Sequence, residues 1–105
     1  MMERKYIQKV FSNQLKFLEE YNETLHDKEL DFKVIIAVSP NQMLLVRREP
    51  GSYGYRHGLM EISLHVDGQP VYNTQWDSTV KGYMNEHDVA RYWLHFHKNA
   101  LPSWC

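Results

Sequence analysis

The stretch GSYGYRHGLMEISLHVDGQPVYNTQWDSTVKGYMNEHDV spans residues 51–89. Within it, Met60, Ile62, Leu64 and Val66 alternate with Glu61, Ser63 and His65. That period of two is the pattern of a strand with one face on a core and the other turned away from it. Asp67-Gly68 follows directly, a pair that tolerates the positive φ of a tight hairpin turn. Gln69 to Asn73 is then expected to return as a short strand. Pro70 has no amide hydrogen to give a ladder, which places that strand at an edge.

Upstream, Pro50, Gly51, Gly54 and Gly58 predict an irregular loop over Glu49–Gly58. Before it, Lys33–Val38 is β-branched and almost continuously apolar, which predicts an inner strand buried on both faces. Ser39-Pro40-Asn41-Gln42 is turn chemistry, and Met43–Val46 is expected to run back as a second strand ending at Arg47-Arg48. Downstream, residues 74–84 give no clear period. Asn85 is an N-cap candidate with Glu86 and Asp88 behind it, and Val89, Tyr92, Trp93 and Phe96 form the apolar stripe of a C-terminal helix.

At the other end, Ile7, Val10, Phe11, Leu15, Leu18, Tyr21 and Leu25 recur at three- and four-residue spacings with no Pro or Gly between them. They predict a helix over Glu3–Leu25, roughly 35 Å long, packed on the sheet or serving as the seam of a homodimer. The fold expected is a single α+β domain over residues 1–105: a long N-terminal helix, an antiparallel sheet of about four strands and a C-terminal helix, in the order α-β-β-β-β-α.

Acids and bases nearly cancel to a formal net charge of -1, which argues against binding nucleic acid by bulk electrostatics. The one cysteine, Cys105, excludes an internal disulfide framework and fits a reducing compartment. Charge near the start is not followed by an apolar run, so no signal peptide is expected, and no segment approaches the ~18 apolar residues of a membrane span. The expectation is a cytoplasmic protein.

The sequence holds no catalytic set. GxSxG, GxGxxG and GKS/T patterns are absent, and the acids are scattered without acid/base spacing. His95 and His97 look like an HxH pair, but on a helix i and i+2 point ~200° apart and cannot share an ion. His87 and His95 share a face with Arg91 between them, which repels a cation. No metal, cofactor or catalytic residue is therefore expected. The loop is richer: Tyr53, Tyr55, Arg56 and His57, with Arg48 beside them, are residue types that contact surfaces favour. Arg47 and Arg48 cannot both face one way on a strand, so at most one turns toward that cluster. The polar strand face (Glu61, Ser63, His65) and Trp76 are secondary candidates, giving a partner-binding set of Arg48, Tyr53, Tyr55, Arg56, His57, Glu61, His65 and Trp76.

Over about residues 40–89 the chain resembles small uncharacterised proteins encoded by bacteriophages and prophages. The matching pieces are Asn41, Ser52-Tyr53-Gly54, Gly58-Leu59 with Glu61-Ile62, Tyr72-Asn73-Thr74, Val80, Gly82-Tyr83, and Glu86 with Val89 at the helix start. Gln42 departs from the pattern, which has glycine after the turn asparagine, and the first strand and N-terminal helix lie outside it. The resemblance implies a phage-type origin and an antiparallel β core followed by a helix, with no catalytic role to carry over. Taken with the missing catalytic set, the near-zero net charge and the aromatic content of 13%, it motivates the expected function. That is a non-enzymatic intracellular protein that binds and modulates, with inhibition the favoured mode, a host or defence-system protein such as a CRISPR effector. Two alternatives stand beside it. One is a nucleic-acid-binding accessory module using the same loop with Arg91, His95 and Lys98; the other is a small histidine-dependent metal protein or enzyme.

Overall fold

The structure is a computed structural model, and it describes residues 6–11, 16–17, 20, 24–27 and 29–100. Its frame is a six-stranded mixed sheet of β1 (Tyr6–Phe11), β2 (Asp31–Ser39), β3 (Gln42–Arg48), β4 (Met60–Val66), β5 (Gln69–Pro70) and β6 (Lys81–Met84). The order across the sheet is β1-β2-β3-β4-β5, with β6 also on β4. β1 runs parallel to β2, and all other pairs are antiparallel. One helix, α1 (Glu86–Ala100), follows the last strand.

The long N-terminal helix and the four-stranded antiparallel meander are corrected by this arrangement. Tyr6–Phe11 is a strand, and its parallel pairing with β2 makes the sheet mixed. The three-and-four spacing of Ile7, Val10 and Phe11 fits a helix, but Tyr6, Ile7, Val10 and Phe11 are also aromatic or β-branched and favour a pleat. Pairing with β2 decides it, because Phe11 then enters the core at 2% exposure. Helical conformation does occur further on, at Lys16, Phe17, Glu20 and Thr24–His26. Of the expected stripe, Leu15, Leu18 and Tyr21 lie outside the described residues.

β2 is an inner strand, though not buried on both faces. Phe32, Val34, Ile36 and Val38 are buried while Lys33, Ile35 and Ala37 remain half-exposed. β3 continues the buried face with Leu44 and Val46, and β4 with Met60 and Ile62. Against this face lies α1. Its N-terminus is a reciprocal capping box: the Asp88 amide donates to Asn85 Oδ1 at 2.8 Å, and the Asn85 amide donates to Asp88 Oδ2 at 3.1 Å. Val89 and Trp93 on the inward stripe are 0% and 1% exposed, each contributing about 1.5–3 kcal/mol by burial. At the register irregularity between Ala37 and Ser39, two strand carbonyls are taken by helix side chains. Trp93 Nε1 donates to the Ala37 carbonyl at 3.1 Å, and His97 Nδ1 donates to that of Val38 at 2.9 Å. The two rings stack, their planes 6° apart.

The Asp67-Gly68 turn forms as its chemistry requires, with φ of 51° and 80°. The strand after it is shorter than expected: β5 covers Gln69–Pro70, and beyond it Asn73 and Ser78 make an isolated bridge. Residues 74–84, without a clear period in the sequence, end in β6 on the free half of β4.

Candidate interaction surface

The loop between β3 and β4 is built from its backbone outward. Ser52, 6% exposed, staples its start: the hydroxyl donates to the Glu49 carbonyl at 2.8 Å and accepts from the Glu49 amide at 3.1 Å. Tyr55–His57 then forms one 3-10 turn between Gly54 and Gly58, both in the left-handed region. Gly54 tolerates that φ of 93°, and a Cβ there would stand 3.0 Å from the Tyr83 backbone. The Leu59 amide closes the loop on the Gly54 carbonyl at 3.0 Å.

Two further contacts tie the loop to the sheet. Glu61 on β4 accepts from the Tyr53 amide at 3.3 Å through one oxygen, while its other oxygen is held by Arg47 at 2.6 and 2.9 Å. The Tyr83 amide on β6 donates to the Tyr53 carbonyl at 3.3 Å. Tyr83 itself has φ of 57°, a conformation that costs a non-glycine residue on the order of 1 kcal/mol.

The result is a pocket of about 300 Å³ lined by residues 51–57 and Tyr83. Tyr53 and Tyr83 are each 59% exposed at its rim, and the His57 and Tyr83 rings stand 5.9 Å apart. Arg56 and His57 are exposed, and no acidic residue lines the pocket. Planar rings, a guanidinium and an imidazole on a hydrogen-bonded loop can stack on and hydrogen-bond to a partner with little ordering cost.

Of the expected contact residues, Tyr53, Tyr55, Arg56 and His57 are brought together here. Tyr55 works inward, its hydroxyl donating to Asp31 at 2.9 Å. Arg48 is corrected: at 1% exposure it points into the core, because β3 alternation turns Arg47 to the opposite face. Glu61, 4% exposed, is the loop's internal anchor. Trp76 packs edge-on against Tyr92 and Phe96 of α1 at 5.6 and 5.8 Å, and its Nε1 has no hydrogen-bond partner among the described residues. Tyr83 is the rim residue the sequence left unassigned. Nothing in a V-x-G-Y string announces a left-handed tyrosine.

His65 sits elsewhere, on the sheet face opposite α1, with Ser63 Oγ 2.9 Å from its Nε2. It borders an apolar hollow of about 90 Å³ with Ile35, Met43, Leu45 and Gly68. Burial holds its imidazole below the ordinary value of 6.5. The folded state therefore binds fewer protons there than the unfolded chain, and stability rises with pH across that window. Stability is present above the unfolded value of 6.5 and is lost as pH falls from there through the lower folded value. His65→Gln should flatten this acid limb, measured as a smaller change in urea midpoint between about pH 7.5 and about pH 5 than in wild type. An unchanged slope would remove His65 as its source.

Among the described residues no three His, Cys, Asp or Glu side chains come close enough to hold a metal ion. His97 turns inward to Val38 while Asn99 approaches His95 on the outside. Arg91 and His95, named for the nucleic-acid alternative, border a second pocket of about 280 Å³ with Gln75 and Tyr92, where Arg91 is paired with Asp88. Lys98 is exposed further along the helix. No described helix is long and apolar enough to cross a membrane. Comparison with known proteins finds no matching family model, curated protein or solved structure.

Proposed function

We propose that this protein is a non-catalytic binding module that engages a protein partner through the loop Gly51–His57 together with Tyr83. One observation carries the reading: two tyrosines, each 59% exposed, stand beside Arg56 and His57 on a loop whose backbone is fixed to two strands. Tyrosine and arginine dominate the energetic centres of protein interfaces because they bury large area for few rotatable bonds. The acid-free lining favours a partner surface that presents carboxylates. The resemblance to phage-encoded proteins supports a host-cell protein as that partner, with inhibition as the outcome.

The test is capture from a nuclease-treated bacterial lysate by wild type and by a Tyr53→Ala/Arg56→Ala variant. Both side chains are exposed, so the fold should persist by circular dichroism. Retention of the captured protein should fall about 30-fold or more, the effect of losing roughly 2 kcal/mol at an interface centre. Equal capture by the folded variant would remove this surface. Capture that vanishes with nuclease would favour the nucleic-acid alternative instead.

A further inference from the structure

We infer that β1 is the interface of a two-fold homodimer in which the β1 strands of two copies pair antiparallel, joining both sheets into one. This surface is separate from the Tyr53–Tyr83 pocket and goes beyond the binding role proposed for it.

β1 ends the sheet: it pairs with β2 on one side, and no strand among the described residues pairs with the other. Such an edge is a template for another strand unless it is blunted by proline, a bulge, a covering segment or a charge. The one charge here, Lys9 on the core-facing row, is neutralised by Glu20. β1 has six regular residues with no Pro, Gly or bulge. Its register puts Ile7, Lys9 and Phe11 level with the buried Phe32, Val34 and Ile36, and Tyr6, Gln8 and Val10 level with Asp31, Lys33 and Ile35 on the opposite face. Lys9 is the only charge in the strand, and it is drawn to Glu20 at 2.6 Å. Tyr6 and Val10 are 50% and 63% exposed, an unusual load of apolar surface for an unpaired edge.

The register follows from the same residues. A two-fold axis normal to the sheet keeps each face continuous, so it must pass through a residue. Centred on Gln8, it sets Tyr6 against Val10 of the second copy, and Val10 against its Tyr6. Both exposed side chains then gain an apolar neighbour, Tyr6 keeping the hydroxyl contact it makes with Glu49, and the row Val10, Ile35, Leu45 runs on into the next sheet. Centred on Lys9, it would set two ammonium groups directly opposite, which is unfavourable. The other end of the sheet does not compete. β5 is two residues long and contains Pro70, and β6 carries the left-handed Tyr83. Head-to-tail growth is thereby disfavoured, and the assembly closes at two copies.

Sedimentation of the full chain across a dilution series should show twice the 12.6 kDa chain mass at the concentrated end. Val10→Lys should weaken the dimer by about tenfold or more, since two symmetric cross-strand pairs are lost, while circular dichroism stays unchanged. In a Cys105→Ser background, Gln8→Cys places two thiols opposite each other at about 4.5–5.5 Å between Cα atoms. Mild oxidation should link that variant as a covalent dimer and leave Tyr53→Cys, in the same background, without a cross-link. Wild-type protein that stays at the monomer mass throughout would overturn the inference. So would a dimer that Val10→Lys leaves intact and Gln8→Cys fails to cross-link.

Discussion

Replacing Arg48 with alanine should destabilise the protein by about 4 kcal/mol, a loss far above that of an ordinary exposed arginine. Arg48 is 1% exposed, yet its guanidinium is a structural tie. Nη1 donates to the Leu25 carbonyl at 3.2 Å, Nε and Nη2 donate to that of Leu30 at 3.2 and 2.9 Å, and Nη2 also donates to that of Asp27. The cation lies 4.8 Å over the Phe32 ring. One planar fork thus gathers the carbonyls of the segment that leads into β2, and alanine strands several of them at once. A lost bond to a charged donor is worth roughly 1.5–3 kcal/mol. Against a total stability of about 5–15 kcal/mol, the melting temperature should fall by roughly 15–30 °C. Arg48→Met keeps the stem over Phe32 but not the donors, and should lose most of the same amount. Arg48→Lys should recover only part, since one ammonium cannot match the fork. A loss under about 1 kcal/mol for Arg48→Ala in urea titration would show the tie to be dispensable.

The same residue marks where sequence reasoning stops. That Arg47 and Arg48 face opposite ways follows from strand alternation alone; which of them turns inward depends on the register of β3 with β2 and β4. Local chemistry elsewhere was more readable. The Asp67-Gly68 turn and the Asn85 cap each act within a few residues, and each is found where it is expected. Met60–Val66 is a strand as its period predicts, but its polar side is not open: Glu61 and Ser63 are 4% and 5% exposed, because the β3–β4 loop and its Arg47 pair close over them. What local chemistry could not settle was non-local. Ile7, Val10 and Phe11 suit a helix as well as a strand, and only the parallel partner in β2 separates the two. Trp76 offers the same ambiguity: an aromatic after an irregular stretch reads as a contact residue until Tyr92 and Phe96 of α1 close over it. The proposed interaction surface was half legible, because Tyr53, Arg56 and His57 belong to one loop. Tyr83 arrives from β6, thirty positions after Tyr53, through a backbone contact that no spacing encodes.

That backbone contact sets the second large effect. Gly82→Ala should cost about 2–3 kcal/mol, at the upper end of what overpacking does, and should abolish partner capture with it. A Cβ at residue 82 would stand 2.3 Å from the Tyr53 Cβ and 3.1 Å from the Tyr53 carbonyl oxygen. Those atoms are backbone or bound directly to it, so no side-chain rotation relieves the overlap. Either β6 or the loop must move, and the Tyr83 amide then loses its bond to Tyr53. The two exposed rings stay in the protein but lose their fixed spacing, so binding should fall further than stability alone accounts for. A fall of roughly 10–20 °C in melting temperature, with faster hydrogen exchange at the Tyr83 amide, is the expected result. Tyr53→Gly removes the opposing Cβ, so in the double variant Gly82→Ala should cost at least 1 kcal/mol less than it does alone, a coupling that a double-mutant cycle reads directly. Capture should stay lost in that double variant, because Tyr53 is gone. If Gly82→Ala instead melts within about 0.5 kcal/mol of wild type and binds normally, the loop and β6 are not locked together, and Tyr83 has no claim to a place in the site.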